Sequence, residues 1–156
     1  MIVGNGTDKP RLQSLANELN LNDYVLFTGE IPDIEIVQLY VACELFIMPS
    51  KEVKEGKKLK IEGFGIVYVE AGACGKAVIA GKSGGTAEAL IDGVTGLLID
   101  TDEKSISNAI IKLLKDDGLR KKMGMAGRQR VVEEMGAEKI ANKIDEILRS
   151  SIKSTR

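Results

Sequence analysis

Histidine and tryptophan are absent from this sequence, and cysteine occurs only twice. Without histidine the chain can form neither a Ser-His-Asp triad nor a zinc site built on imidazole ligands. Cys43 and Cys74 lie far apart and neither belongs to a paired-cysteine motif, so they predict no thiolate metal site. We therefore expect free thiols in a reducing compartment and no bound metal.

Charge of one sign and long apolar runs are also lacking. Lysine and arginine number 22 against 23 aspartates and glutamates, a formal net charge of -1. This balance argues against a general binder of nucleic acids or membrane surfaces. Neither a signal-peptide pattern nor a run of about 18 apolar residues is present, which argues only against secretion and membrane spanning. We expect a cytoplasmic location, which the two separate cysteines fit. Peripheral contact with a membrane is left open.

Strand and helix patterns alternate along the chain, with short connections. Strands are predicted at residues 1–3, 24–28, 45–48, 77–80 and 97–99, the first of them buried. Helices are predicted at about 10–19, 33–42, 65–73, 86–90, 102–117, 119–134 and 137–148. This order predicts an α/β fold, a doubly wound parallel sheet of about five strands with extra C-terminal helices. We expect residues 1–150 to form one domain, followed by a frayed tail at 151–156.

The alternation of strands and helices is interrupted by a segment with many charges, residues 51–61, KEVKEGKKLKI. They predict an exposed, solvated loop or short hairpin. The functional alternative is a basic flap that closes over a phosphate.

The stretch from residue 62 to residue 75, EGFGIVYVEAGACG, carries the strongest functional pattern. Glu62 precedes the Gly-Phe-Gly turn, and Glu70 follows it on a predicted helix. If Gly65 marks the start of that helix, its first amides favour a phosphate at the helix N-terminus. This stretch could therefore offer two carboxylates to hydroxyl groups and a row of amides to an anion.

Glycine-rich turns follow several of the predicted strands. They are residues 4–6, Gly29, 63–65 and 83–85. In doubly wound sheets ligands bind beyond the carboxyl ends of the strands, so we predict that these turns converge on one site. For Gly84-Gly85 a simple turn is an open alternative.

Five segments in order resemble the C-terminal, donor-binding domain of retaining family 4 glycosyltransferases of the GT-B fold. They are VGNG, TGEIPDIEIVQLY, LFIMPS, EGFGIVYVEAGACGKAVIAG and SGGTAEALIDGVTGLLI. The resemblance covers residues 2–148, and its most specific part is the E-x7-E pair of Glu62 and Glu70. It implies a Rossmann-like fold and binding of a nucleotide diphosphate-sugar.

The resemblance implies that Glu62 is the catalytic residue that reaches the hydroxyls of the transferred sugar. Gly63, Phe64 and Gly65 are expected to contact that sugar through their backbone, which glycine allows because it has no Cβ. For Phe64 an alternative is a place in the core.

The nucleotide and diphosphate contacts are also implied by the resemblance. The amides of Ile66 and Val67 are expected to meet the diphosphate. Glu70 is expected to accept both ribose hydroxyls, with a surface salt bridge as the alternative. The nucleotide is further expected to lie near Gly4, Gly6 and Ile31.

By the same resemblance, the chain is expected to be the donor-binding half of a sugar transferase that needs no cofactor. The acceptor, a glycan, lipid or small molecule, is expected to bind an N-terminal domain outside this chain. The cations that clamp the diphosphate in the family precede the VGNG segment, so the chain alone is expected to be inactive. A nucleotide-sugar epimerase and a non-catalytic nucleotide-binding domain are the alternatives.

One further motif has a structural explanation. Residues 100–102, Asp-Thr-Asp, match the D-x-D metal motif of the other glycosyltransferase fold. We instead predict a strand end followed by Asp102 as a helix N-cap.

Overall fold

A computed structural model of the chain describes residues 1–56 and 58–154. The chain divides into two compact units, Met1–Leu39 and Tyr40–Arg156. None of the described helices is long and apolar enough to cross a bilayer.

The unit Met1–Leu39 contains a two-stranded parallel ladder. Its elements are β1 (Ile2–Val3), α1 (Lys9–Glu18), β2 (Phe27–Gly29) and most of α2 (Asp33–Ala42). Strand β1 pairs in parallel with β2. The prediction that the first strand is buried is wrong, since Ile2 and Val3 are each 43% exposed. So short a ladder buries little side-chain surface.

Strand β2 starts later than predicted. The amides of Tyr24 and Val25 both donate to the carbonyl oxygen of Leu21, at 2.9 Å each. These bonds hold the first residues of the predicted strand in a turn, and Tyr24 is 82% exposed. Only the second half of the predicted segment is therefore extended.

The unit Tyr40–Arg156 is built on a three-stranded parallel sheet. Its elements are β3 (Phe46–Met48), β4 (Val53–Glu55), β5 (Lys58–Lys60), α3 (Ile66–Ala73), β6 (Val78–Gly81), α4 (Thr86–Ala89), β7 (Gly96–Ile99), α5 (Glu103–Lys115), α6 (Asp117–Arg130), a π-helical segment (Val131–Met135) and α7 (Ala137–Ser154). The strand order is β3-β6-β7, with β6 in the centre. The α/β fold class with parallel strands is confirmed.

The core of this unit lies between the sheet and α5 and α6. Ile79 on β6 and Leu113 on α5 are fully buried, and Ala77, Ala109 and Met123 complete the buried cluster. Burial on this scale is the main term that stabilises the fold. Helix α5 supplies two members of the cluster, Ala109 and Leu113.

Helices α5 and α6 both begin at an aspartate cap. Asp102 Oδ1 accepts a hydrogen bond of 2.9 Å from the amide of Ser105, as predicted. Lys82 Nζ pairs with Asp100 Oδ1 at 3.1 Å. The D-x-D residues therefore have structural partners.

The predicted stop at Asp117-Gly118 is wrong. Asp116 caps α6 by accepting from the amide of Leu119 at 2.8 Å, and the helix begins at Asp117. The side chain of Asp117 pairs with Arg120 NH1 at 2.7 Å within the first turn. The aspartate pair thus starts a helix.

The joint between the C-terminal helices lies at Gly136 and α7 begins at Ala137, as predicted, but the lengths of the helices differ from prediction. Helix α6 changes to the π-helical segment at Val131, and extended backbone at Gly136 ends that segment. Helix α7 continues to Ser154, past the predicted end near residue 148 and into the predicted tail. Residues 155 and 156 of that tail lie outside the described residues.

Candidate functional site

The charged insertion forms an antiparallel hairpin. Strands β4 and β5 pair with Val53 opposite Lys60 and Lys54 opposite Leu59. The prediction of an exposed loop or short hairpin is confirmed, with Lys57 outside the described residues. A role as a flap over phosphate stays a prediction.

Helix α3 starts at the position predicted for phosphate binding. Gly65 is its N-cap, in a left-handed conformation with φ of 80°. A Cβ at this position would lie 2.2 Å from the ring of Tyr68, so the turn requires glycine. Because Gly65 has no side chain, it cannot cap the amides of Ile66 and Val67. The start of α3 thus leaves room for an anion next to those amides.

Glu62 is held in a half-buried loop by three hydrogen bonds. Its amide donates to Ser83 Oγ at 3.1 Å, and its carbonyl oxygen accepts from the amide of Gly85 at 3.0 Å. The carboxylate oxygen Oε2 accepts from Ser50 Oγ at 3.2 Å. Both the backbone and the side chain of Glu62 are therefore positioned by neighbouring loops.

The glycines of the Ser83–Gly85 turn pack directly on the backbone of the Glu62 loop. A Cβ at Gly84 would lie 2.1 Å from the carbonyl oxygen of Glu62, and one at Gly85 would lie 2.1 Å from that of Gly63. Such distances are far below van der Waals contact, so both glycines are needed for the approach. The pair supports the Glu62 loop and is more than the simple turn that was the alternative.

Glu70 is exposed on α3 and has a buried phenol as its partner. Tyr40 Oη donates to Glu70 Oε2 at 3.0 Å, and Tyr40 is 6% exposed. Burial raises the pKa of the Tyr40 hydroxyl, and the hydrogen bond to Glu70 raises it further. The phenol therefore keeps its proton at neutral pH and donates it in the hydrogen bond to the carboxylate.

Phe64 and Ile66 face away from the core. Phe64 is 38% exposed and Ile66 is 65% exposed. The alternative that Phe64 is a core residue is therefore wrong. Val67 is half-buried.

Three predicted nucleotide contacts belong to the unit Met1–Leu39. The amide of Gly4 donates to the carbonyl oxygen of Gly29 at 2.8 Å, and Gly4 has φ of 123°. Nothing lies within 4 Å of a Cβ built at Gly4 or Gly6. Ile31 is half-buried. Their contact with a nucleotide stays a prediction.

Ser50 and Tyr40 were missed by the sequence analysis, whereas Ser83 was predicted near the site as part of the turn at 83–85. Ser50, Ser83 and Tyr40 lie 12, 21 and 30 positions from the glutamate that each contacts. No local spacing points to such pairs. The one available signal was that Tyr40 and Ser50 each end a segment that carries the family resemblance.

A metal centre and a surface concavity are two other kinds of candidate site. In the described ranges, no group of three or more Asp, Glu or Cys side chains could hold a metal ion. A surface concavity of about 790 Å³ is lined by α6 and the π-helical segment, including Lys121, Lys122 and Arg128. It includes neither Glu62 nor Glu70.

Comparison with known proteins identifies the family. Residues 1–130 match the family described as glycosyl transferases group 1. The chain belongs to this family. The epimerase alternative is therefore not favoured.

The relatives include mannosyltransferases whose names give GDP-mannose as the donor. The chain is 42% identical over 128 residues to the GDP-mannose-dependent alpha-(1-6)-phosphatidylinositol monomannoside mannosyltransferase of Mycolicibacterium smegmatis, with 81% of this chain and 33% of that protein covered. It is 31% identical over 148 residues to N-acetyl-alpha-D-glucosaminyl L-malate synthase of Bacillus anthracis, covering 94% of this chain and 36% of that protein. The chain thus spans about a third of the length of these relatives.

Solved structures share the fold. Sucrose-phosphate synthase from Thermosynechococcus elongatus superposes with a TM-score of 0.79 at 33% identity, over 96% of this chain and 35% of that one. Anabaena HepE in complex with UDP-glucose gives a TM-score of 0.78 at 30% identity, over 95% of this chain and 40% of that one. The glycosyltransferase fold predicted from the sequence is confirmed.

Proposed function

We propose that this chain is the donor-binding part of a retaining glycosyltransferase, which transfers a sugar from a nucleotide diphosphate-sugar to an acceptor hydroxyl. Residues 1–150 form the donor domain in this proposal. The observation that carries it is the start of α3 at Ile66, directly between the loop of Glu62 and the helical Glu70. Membership of the family supports the same reading.

The diphosphate is proposed to bind at the start of α3. A helix N-terminus carries a partial positive charge and unpaired amides, both of which favour an anion. Gly65 brings the chain into the helix without a side chain over Ile66 and Val67. When the bond between sugar and phosphate breaks, negative charge grows on the leaving group, and these fixed dipoles stabilise it.

The two glutamates are proposed to bind the hydroxyl groups on either side of the diphosphate. Glu62 reaches the sugar, with the backbone of Gly63 to Gly65 beside it. Glu70 accepts the ribose hydroxyls, because a carboxylate has about four acceptor positions and Tyr40 uses only one of them. No protein nucleophile is required in this arrangement.

GDP-mannose is the donor that the relatives favour. Proteins named as GDP-mannose-dependent match at 42% identity in Mycolicibacterium smegmatis and at 38% in Corynebacterium glutamicum. Their names also specify a phosphatidylinositol mannoside, which supports a lipid among the proposed glycan, lipid and small-molecule acceptors. We place the protein in the cytoplasm, peripheral to a membrane when the acceptor is a lipid.

A saturation-transfer NMR panel of GDP-mannose, UDP-glucose and ADP-glucose on this chain tests the proposal. We expect saturation of both ribose and sugar protons, strongest for GDP-mannose, and no change after addition of EDTA because no metal takes part. Guanosine alone, which lacks the diphosphate, is the matched control and should give a weaker signal. Absence of saturation for all three donors would contradict a donor site.

A further inference from the structure

Three aromatic rings pack in a row beneath the two glutamates. The ring centroids of Tyr40 and Phe46 lie 5.4 Å apart at an interplanar angle of 64°. Those of Phe46 and Tyr68 lie 6.3 Å apart at 67°. Both are edge-to-face contacts, the arrangement that aromatic pairs prefer. We call Tyr40, Phe46 and Tyr68 the aromatic row.

The outer members of the row are buried tyrosines. Tyr40 is 6% exposed and Tyr68 is 2% exposed, and they come from α2 and α3. Phe46, between them, lies on β3. All three residues of the row belong to the unit Tyr40–Arg156.

Each outer hydroxyl leads to one glutamate. Tyr40 Oη donates directly to Glu70 Oε2 at 3.0 Å. Tyr68 Oη lies 3.2 Å from Ser50 Oγ, which in turn donates to Glu62 Oε2 at 3.2 Å. Tyr68 Oη also lies 2.9 Å from the carbonyl oxygen of Met48, on the strand that leads to Ser50.

We propose that the aromatic row sets the relative position of the two donor-binding glutamates, with Tyr40 positioning Glu70 and Tyr68 positioning Glu62 through Ser50. This role rests on the proposed function of those glutamates. Tyr40 and Tyr68 are positioning residues, since they act through the carboxylates.

Neutral donors suit this task better than cations. A lysine or arginine would pair with the carboxylate and compete for the oxygens that take ligand hydroxyls. A neutral hydroxyl, that of Tyr40 at Glu70 and that of Ser50 at Glu62, fixes one oxygen and leaves the negative charge to strengthen hydrogen bonds from the ligand. Burial raises the pKa of both hydroxyls above the ordinary value of 10.0, so both remain donors at neutral pH.

Calorimetric titration of the full chain with GDP and with 2′,3′-dideoxy-GDP tests the arm that leads to Glu70. Tyr40→Phe keeps the ring and removes the donor. We expect it to weaken GDP binding by about 3- to 10-fold, the effect of one hydrogen bond, and to leave dideoxy-GDP binding unchanged. In a Glu70→Ala background, Tyr40→Phe should cause no further loss, because coupled residues are not additive.

The arm that leads to Glu62 is tested by comparing GDP-mannose with GDP. Tyr68→Phe, and separately Ser50→Ala, should lower the ratio of the two affinities by about 3- to 10-fold and leave GDP binding itself unchanged. Ser50→Ala tests this arm even if Tyr68→Phe does not fold. Tyr24→Phe, at a position 82% exposed, is the matched control and should alter neither ligand.

The outcomes separate the two levels of the proposal. The positioning role is overturned if Tyr40→Phe weakens the binding of GDP and of dideoxy-GDP equally. It is also overturned if Tyr40→Phe weakens GDP binding as much in the Glu70→Ala background as in the unaltered chain. In both cases donor binding stands, provided that the unaltered chain binds GDP. An unchanged ratio in both Tyr68→Phe and Ser50→Ala overturns the Glu62 arm in the same way. If the unaltered chain binds neither GDP nor GDP-mannose, the proposed function fails and the positioning role falls with it.

Discussion

The site has two halves that are held in place by different means. The loop half, residues 62–65, has no regular structure and depends on contacts from Ser50, Ser83 and the Gly84-Gly85 turn. The helix half, residues 66–70, is carried by α3, and Glu70 has one further contact from Tyr40.

This difference shows where the site is vulnerable. A helix fixes its backbone, and with it the direction of each Cα–Cβ bond, through its own hydrogen bonds, so the backbone of Glu70 needs no partner from another segment. A loop has no such ladder, and its backbone groups must find partners in other segments. The position of Glu62 therefore depends on many residues, whereas that of Glu70 depends on few.

The largest effect on binding is expected in the helix half. Glu70→Ala should weaken nucleotide binding by about 1.5 to 3 kcal/mol, roughly 10- to 150-fold, because hydrogen bonds to a charged group are lost. Calorimetry with GDP measures it. Glu146→Ala, at another exposed helical glutamate, is the control. If the Glu70→Ala chain and the unaltered chain bind GDP with equal affinity, Glu70 is not part of the nucleotide-binding site.

Gly85→Ala should disrupt the loop half and leave the helix half in place. The new Cβ would collide with the carbonyl oxygen of Gly63, and overpacking of this kind costs about 1 to 3 kcal/mol in free energy of unfolding. We expect lower stability in urea denaturation and loss of the preference for GDP-mannose over GDP.

Gly136→Ala is the matched control for Gly85→Ala. The nearest atom to its Cβ is 3.9 Å away, and Gly136 has an ordinary φ of -62°. A Gly85→Ala chain that keeps both its stability and its preference for GDP-mannose would show that the loop half does not depend on the glycine turn.

High pH should weaken the contacts that hold both halves of the site, because each half is positioned by a buried tyrosine hydroxyl. The pKa of Tyr40 and that of Tyr68 are raised from the ordinary 10.0, chiefly by burial. Below that pH both folded and unfolded chains keep these protons. Above it the unfolded tyrosines ionise first, so the free energy of unfolding falls as pH rises.

The decrease in the free energy of unfolding at high pH is measured by urea denaturation at about pH 9 and about pH 11, on either side of the ordinary tyrosine pKa. In Tyr40→Phe the free energy of unfolding should decrease less between these two pH values than it does in the unaltered chain. In Tyr24→Phe, which changes an exposed tyrosine, it should decrease as much as in the unaltered chain. An identical loss in Tyr40→Phe and in the unaltered chain would argue against a buried, protonated Tyr40.

The smallest effect is expected where the hairpin contacts the glycine turn. The amide of Gly84 donates to Glu52 Oε1 over 3.4 Å, a long and exposed bond. Glu52→Ala should change the free energy of unfolding by less than about 0.5 kcal/mol, as is usual for surface positions. A large loss of GDP-mannose affinity would instead show that the hairpin belongs to the loop half.

Local patterns predicted the helix half well. Glycine before an apolar run indicated the start of α3, and the spacing placed Glu70 on that helix. The cap at Asp102 followed from the same kind of short-range reasoning, and it was confirmed. These features depend on residues within one or two turns of each other.

The supports of the loop half could not be predicted in the same way. The Ser83 contact with Glu62 joins segments that only the folded sheet brings together. Local rules also failed at Asp117, where an aspartate followed by glycine suggested a stop. There the preceding Asp116 instead caps a new helix.

The most direct test of the central claim is an amide NMR spectrum of the full chain titrated with GDP-mannose. The account predicts that the largest shifts fall on the amides of Ile66 and Val67, with further shifts at Gly63 and Glu70. Shifts confined to the α6 surface around Lys121 and Arg128, with Ile66 and Val67 unchanged, would contradict it.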